Sequence, residues 1–274
     1  MKSWFRVIFI VVVAASTLVA CSKTDLNQGI SEQSVEVSFS TTFDSKITTR
    51  VAEGLSVDKL IVEVYSNGVI IGSRKEYSVT NLQVDNFSLP FVSDQNYTVV
   101  FWAQSSSCSA YNTDNLSNIM IDYSVNASFA ELDNRDVFHG VISFTASRQN
   151  TNQQVTLARP FALLAVGNSQ YDTTVANQHA TIEINSVATL FNAITGTASG
   201  SAVESFSFNI DGTAFPNKSG YTMVGAAYLL PVNNCAVAVR VTTNATATKS
   251  TTVTLDPLEP NNRYNILGSD LIVY

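Results

Sequence analysis

The chain has 274 residues, a formal net charge of −7 and only 14% charged residues, well below the roughly 25% usual in soluble domains. An acidic chain without a basic patch excludes nucleic acid as a partner, because phosphate is neutralised by Lys and Arg, and disfavours anionic lipid as a charge-driven partner. At this length the folded chain buries roughly 70–75% of its unfolded surface, so it does not depend on disulfides.

Lys2 and Arg6 form a short basic region, and Val7 to Ala15 is an unbroken apolar run. A run of this length suits the core of a signal peptide, whereas a spanning helix needs roughly 20 apolar residues. It ends in Leu18-Val19-Ala20-Cys21, which looks like a lipobox: small residues fit the signal peptidase, and the cysteine thiolate takes the diacylglycerol. Residues 1–20 are therefore expected to be removed between Ala20 and Cys21. The alternative is an ordinary signal peptide with a cysteine near its cut site; position, flanks and motif favour the lipobox. Loss of Lys2 and Arg6 leaves 13 basic against 22 acidic residues, a net charge of −9. Each buried methylene contributes about 0.8 kcal/mol of membrane affinity, so a triacylated Cys21 anchors the chain in the membrane. No other cofactor is expected.

Residues 21–34 are polar and aperiodic and read as a lipidated flexible tether. From there the pattern has period two. Val35, Val37, Phe39, Thr41 and Phe43 share one face, and Glu36, Ser38, Ser40 and Thr42 the other, as in a half-buried strand. Lys59–Tyr65 repeats the pattern. Asn67-Gly68 then precedes Val69-Ile70-Ile71, a hairpin signal because both central positions of a type I′ turn need positive φ. Tyr97–Gln104 is apolar on both faces for most of its length and belongs in the centre of a sheet. Further strands are expected at Val141–Ala146, Gln154–Leu157, Phe161–Val166, Thr181–Ile184, Val203–Ile210, Tyr221–Leu230, Ala236–Thr242, Thr251–Leu255 and Leu271–Tyr274. Turn clusters such as Asp211-Gly212, Asn233-Asn234 and Glu259-Pro260-Asn261 separate them. The sequence leaves room for short helices at Val187–Ala193 and Asp114–Ile119. Many short strands at this spacing give an all-β chain of sandwiches. The polar stretch Arg148–Gln153 suggests a division into an N-terminal β-sandwich over 35–150 and a C-terminal β-sandwich over 151–274.

Five stretches carry a family resemblance: the lipobox cysteine with its tether; Thr49-Arg50-Val51-Ala52-Glu53-Gly54 followed by Lys59–Tyr65; Tyr97–Gln104 leading to Tyr111, Asp114 and Asp136-Val137-Phe138-His139-Gly140; Val155-Thr156-Leu157-Ala158-Arg159-Pro160-Phe161-Ala162; and Pro260–Gly268. In this order the chain resembles the fimbrillins, the type V pilus subunits of Bacteroidales-type bacteria, and especially their lipoprotein branch. The resemblance implies two tandem transthyretin-like β-sandwich domains. It also implies an outer-membrane, cell-surface location and other pilus subunits as partners, with an unidentified host or bacterial surface ligand. In polymerising fimbrillins an Arg-specific protease cuts after an arginine placed like Arg50, freeing Val51 as the new terminus. The first strand then leaves, and a strand from the next subunit fills its groove by β-strand addition. The other reading keeps Arg50 as a solvated loop residue in a subunit that stays lipidated. The short ending at Tyr274, with little sequence to donate, favours it.

No catalytic set emerges, and the chain is not read as an enzyme. His139 and His179 are the only histidines and lack a second ligand at metal spacing. Glu131, Asp133 and Asp136 form an acidic cluster that lacks the glycine and ligand spacing of a calcium loop. Trp102 reads as core, and Arg159-Pro160-Phe161 as a domain junction, with Arg159 paired to an acid and Phe161 buried. Cys108 and Cys235 read as two separate buried thiols. Tyr171-Asp172-Thr173-Thr174 resembles a glycosylation site of such bacteria. A competing function, a glycan- or nutrient-binding surface lipoprotein, would use exposed rings of Tyr111, Tyr123, Tyr171 and Tyr221.

Overall fold

The computed structural model describes residues 33–44, 54–125, 128–129, 131–171, 178–232, 236–244, 248–269 and 271. Their regular structure is strands, with one short 3-10 turn at Leu132–Arg135. Among the described residues no helix is long and apolar enough to cross a membrane. The expected all-β class is what the chain adopts.

The first sheet is built from β1 (Ser34–Asp44), β2 (Lys59–Ser66), β3 (Val69–Ser78), β4 (Phe87–Val92), β5 (Asn96–Gln104), β8 (Val137–Thr145) and β9 (Asn152–Ala158). Its order is β3-β2-β5-β8-β9-β1-β4. Two short strands, β6 (Tyr111–Asn112) and β7 (Ile119–Ile121), lie in the connection from β5 to β8. As its two-faced apolarity predicts, β5 sits between β2 and β8, each paired antiparallel over its length. Asn67 (φ 51°) and Gly68 (φ 77°) make the β2–β3 hairpin turn, with the positive φ at both positions that a type I′ turn requires. β4 was hidden in the sequence by Pro90. It is an end strand, where a residue without an N–H is tolerated, and it pairs with β1 alone.

The sheet curls into a half-barrel. Tyr77 of β3 stacks on Phe87 of β4 with ring centroids 4.0 Å apart, although these strands stand at opposite ends of the order. The concave face encloses Val37, Phe39, Leu60, Val62, Phe101, Phe138 and Leu157. Residues 148–153 turn from β8 into β9, with Asn150 N–H donating to Ser147 O, and β9 then pairs in parallel with β1. Sheet membership therefore changes between Ala158 and Ala162, not at 150/151 where the polar stretch suggested a boundary.

The second layer pair uses β10 (Ala162–Asn168), β15 (Thr222–Leu229) and β18 (Arg263–Gly268) in the order β15-β10-β18. Facing them is β14-β11-β16-β17, from β11 (His179–Val187), β14 (Ala202–Asn209), β16 (Val237–Asn244) and β17 (Thr248–Leu255). The two sheets approach closely: a Cβ on Gly225 of β15 would lie 2.1 Å from Ile182 Cδ1 of β11. Their core also takes in Ile61, Val100 and Trp102 from the convex face of the first sheet.

The short helices do not form. Residues 114–118 are turns, with Asn115 Oδ1 accepting from Ser117 N–H at 2.9 Å, a local bond that competes with helix. Within 187–193, β12 (Leu190–Asn192) pairs with β7 and β13 (Thr197–Ser199). The expected strand Leu271–Tyr274 lies, beyond its first residue, outside the described residues.

Candidate functional site

Ala20, Cys21, Arg50 and Val51 lie outside the described residues, as do Cys235 and Asp172–Thr174. What is described is the strand that precedes Arg50. β1 is an inner strand: it pairs antiparallel with β4 through Ser34–Phe39 and in parallel with β9 through Ser38–Asp44. Val35, Val37 and Phe39 are buried, and the Phe39 ring lies 5.6–6.1 Å from those of Phe87, Phe91, Phe101 and Phe144. Removal of β1 would thus open a groove between β4 and β9 with apolar pockets at alternate positions and unpaired backbone on both rims.

The junction between the sheets is polar and buried. Arg159 follows β9, and its Nε and Nη2 donate to Asp136 Oδ1 and Oδ2 at 2.6 and 2.7 Å, both side chains being fully buried. The guanidinium also lies 4.4 Å from the Phe138 ring centroid, and Phe161 is buried beside it. Burial pushes the Asp136 carboxyl up, while Arg159 and the backbone N–H groups of Val137 and Gly54 favour its charged form. Burial works against the Arg159 charge as well, but the bonds to Asp136 hold its pKa above the ordinary value. The expected Arg159–acid pair and buried Phe161 are both found, and Asp136 leaves the acidic cluster to supply that pair. Among the described residues no group of three His, Cys, Asp or Glu side chains is placed to hold a metal ion.

Arg135, one residue before Asp136, is also buried. Its Nη1 donates to the carbonyls of Tyr123 and Val125 at 3.0 Å. Tyr111 Oη donates to Arg135 O at 2.6 Å; Tyr123 Oη donates to Ala188 O at 2.7 Å and accepts Leu230 N–H at 3.1 Å. Tyr111 and Tyr123 are therefore core anchors rather than an exposed binding platform, and Tyr171 and Tyr221 are half-buried. This overturns the ring face on which glycan binding was expected to rest.

His139 Nε2 donates to Ala193 O at 2.6 Å, and the ring packs against Phe191 at 5.1 Å. Burial lowers its pKa. It faces a cavity of about 200 Å³ shared with Arg159, Pro160, Phe191 and Leu230. Cys108 is a buried free thiol whose pKa is raised by burial. Trp102 is fully buried and donates to Gln104 Oε1 at 2.7 Å.

One polar centre escaped sequence reasoning. Glu63, buried in β2, accepts from Arg74 Nε and Nη2 at 2.8 and 2.6 Å and from Tyr65 Oη, and Arg74 also donates to Thr113 O. A carboxylate inside the apolar run Leu60–Tyr65 was the available signal, since such a group is seldom buried without a cation.

A family model described as "Family of unknown function (DUF6562)" matches residues 28–270. No curated protein matches the chain. Among solved structures, a fimbrial assembly protein from Parabacteroides distasonis is similar at 13% identity and TM-score 0.50, covering 87% of this chain and 92% of that one. A candidate cell adhesion protein from Bacteroides uniformis is similar at 11% identity and TM-score 0.51, over 86% and 93%. Another from Bacteroides ovatus has 13% identity and TM-score 0.50, over 86% and 92%. At such identities the likeness is one of fold.

Proposed function

The chain belongs to the family of unknown function DUF6562, and from that premise we propose that it is a fimbrillin-like surface lipoprotein, a non-enzymatic structural and adhesive component of a type V pilus. It acts as subunit, anchor or accessory protein, built from two tandem transthyretin-like sandwiches and held in the outer membrane by lipid on Cys21. The observation that carries the reading is the place of β1: a buried inner strand, paired on both sides, directly before a segment that contains an arginine. A strand so placed leaves a ready acceptor groove when it is removed, and backbone pairing with pockets for alternate side chains is how strand addition obtains affinity and register. The fold likeness to proteins described as fimbrial and adhesive supports the same reading.

In this reading Ala20–Cys21 is the signal-peptidase site, and Arg50–Val51 is the site at which maturation of a polymerising subunit would occur. Other pilus subunits are the partners. N-terminal sequencing of protein taken from cells separates the roles. A blocked, acylated Cys21 identifies an anchor or accessory lipoprotein, and a terminus at Val51 identifies a polymerising subunit. An unacylated terminus elsewhere in the first residues rules out both. Protease treatment of intact cells should degrade the protein; survival in intact cells with loss after permeabilisation would exclude surface display.

A further inference from the structure

The two end strands of the half-barrel differ in what they offer. A sheet edge is a row of unpaired N–H and C=O groups, and proteins usually blunt it with charge, proline or a bulge. β4 carries Pro90. The outer β17 presents Thr248, Ser250, Thr252 and Thr254 to solvent. β3 is different at its start. Seven large apolar side chains are exposed among the described residues, and Val69, Ile70 and Ile71, at 64, 46 and 38% exposure, are the three that are consecutive.

The second half of β3 has the usual guards, and most are already engaged. The register with β2 shifts between Val62 and Val64. Arg74 turns to Glu63 and the Thr113 carbonyl, and Glu76 lies 3.8 Å from Lys59. Lys75 is the exception: it has no ion pair among the described residues. Its partner across the ladder is Val62, and that of Ile71 is Val64, so Lys75 and Ile71 share the concave face of the sheet. There a cavity of about 320 Å³ lies between the two ends of the half-barrel, lined by Val62, Val64, Ile71, Lys75, Leu89 and Pro90. Tyr77 and Phe87 close one end of this cleft; the Val69–Ile71 end stays open.

We propose that the edge of β3 docks an extended strand of another protein, which lays apolar side chains into the cleft and sets a carboxylate opposite Lys75. The free backbone edge selects an extended partner, because only a strand can meet its donors and acceptors in series. The cleft selects apolar residues at alternate positions. Lys75, the one cation on an otherwise uncharged wall, selects the acid in the same phase. This edge is separate from the groove that loss of β1 would open and requires no proteolysis. The proposal therefore stands or falls independently of the pilus role.

The test uses the full chain and a fluorescein-labelled peptide, Thr-Val-Ser-Val-Thr-Val-Ser-Glu-Thr, followed by anisotropy. Saturable binding is expected. K75E should weaken it by about two- to fivefold, the range of an exposed ion pair, and a peptide with Lys in place of Glu should recover affinity for K75E. I71K, a change at an exposed position, should abolish binding, whereas I70K, on the opposite face, should leave it unchanged. No saturable binding, or equal binding by wild type, K75E and I71K, overturns the proposal. Concentration-dependent self-association that I71K abolishes also overturns it, by making a second copy the occupant.

Discussion

The two cores on either side of the first sheet are made of different chemistry. The concave side is a network of rings: Phe39, Phe91, Phe101 and Phe144 lie 5.3–6.1 Å apart in their successive contacts. The convex side is shared with the β15-β10-β18 and β14-β11-β16-β17 sheets; it too holds rings, among them Trp102, Phe161 and Phe206, but sets them among alanines such as Ala162, Ala165, Ala226 and Ala227. It also holds the Oη groups of Tyr111 and Tyr123 and the Arg135 guanidinium. The contrast follows from backbone hydrogen bonding. Between its two edge strands the curled sheet satisfies its own N–H and C=O groups in the ladders, so most of its interior is filled by rings. The second core accepts the connection from β5 to β8, where carbonyls outside β6 and β7, such as those of Tyr123 and Arg135, find no ladder partner. Buried donors from Arg135 and Tyr111 meet them instead.

The point common to both cores is the most sensitive to substitution. Asp136→Ala leaves the buried Arg159 charge without its carboxylate, which costs about 3–5 kcal/mol. Because Phe138 lies in the concave core and Phe161 in the other, chemical denaturation should show a single transition shifted to lower denaturant. Loss of one core's signal before the other's would show that they unfold separately. Gly140→Ala tests the concave core alone. Its Cβ would fall 2.5 Å from Leu157 Cδ2 and 3.0 Å from the Thr156 carbonyl, an overpacking worth about 1–3 kcal/mol. A variant as stable as wild type in urea melts would mean that β8 and β9 are less tightly apposed than this.

Much of the ladder framework is legible in the sequence, and the reason is local. β1, β2 and β5 announce themselves because period-two alternation, or apolarity on both faces, is a local property. The neighbours of β1 are not: β4 and β9 are set by pairings some 50 and 114 residues away in sequence, as in the Ser38–Ser88 and Thr42–Thr156 hydroxyl contacts. β6, β7, β12 and β13 are two or three residues long, too short to carry a pattern, and exist because tertiary packing places them together. Asp136 looked like part of an acidic cluster with Glu131 and Asp133, since nothing local marks it as buried. Arg159 was readable as a junction residue, but its partner was not, because the pair spans 23 positions.

Tyr123→Phe probes the polar part of the convex core. It removes the hydroxyl that donates to Ala188 O and accepts Leu230 N–H. The loss should be about 1–2 kcal/mol, since both backbone groups stay buried. A ring substitution of this kind that changes nothing in thermal melts would mean that those groups find other partners.

The smallest effect expected comes from His139, which stands where the two cores meet. Burial lowers its folded pKa, although the bond to the Ala193 carbonyl acts the other way. As pH falls through the ordinary histidine value of about 6.5, the unfolded chain takes up a proton that the folded ring still refuses. Its contribution to stability is thus fully present above that value and is lost toward lower pH, until the folded ring also titrates. Urea midpoints measured between about pH 5 and pH 7.5 should rise with pH more steeply for wild type than for His139→Gln, whose amide N–H can still reach the carbonyl. Parallel profiles would mean that the imidazole is not desolvated at the junction, and that the two cores meet there around water rather than around a packed ring.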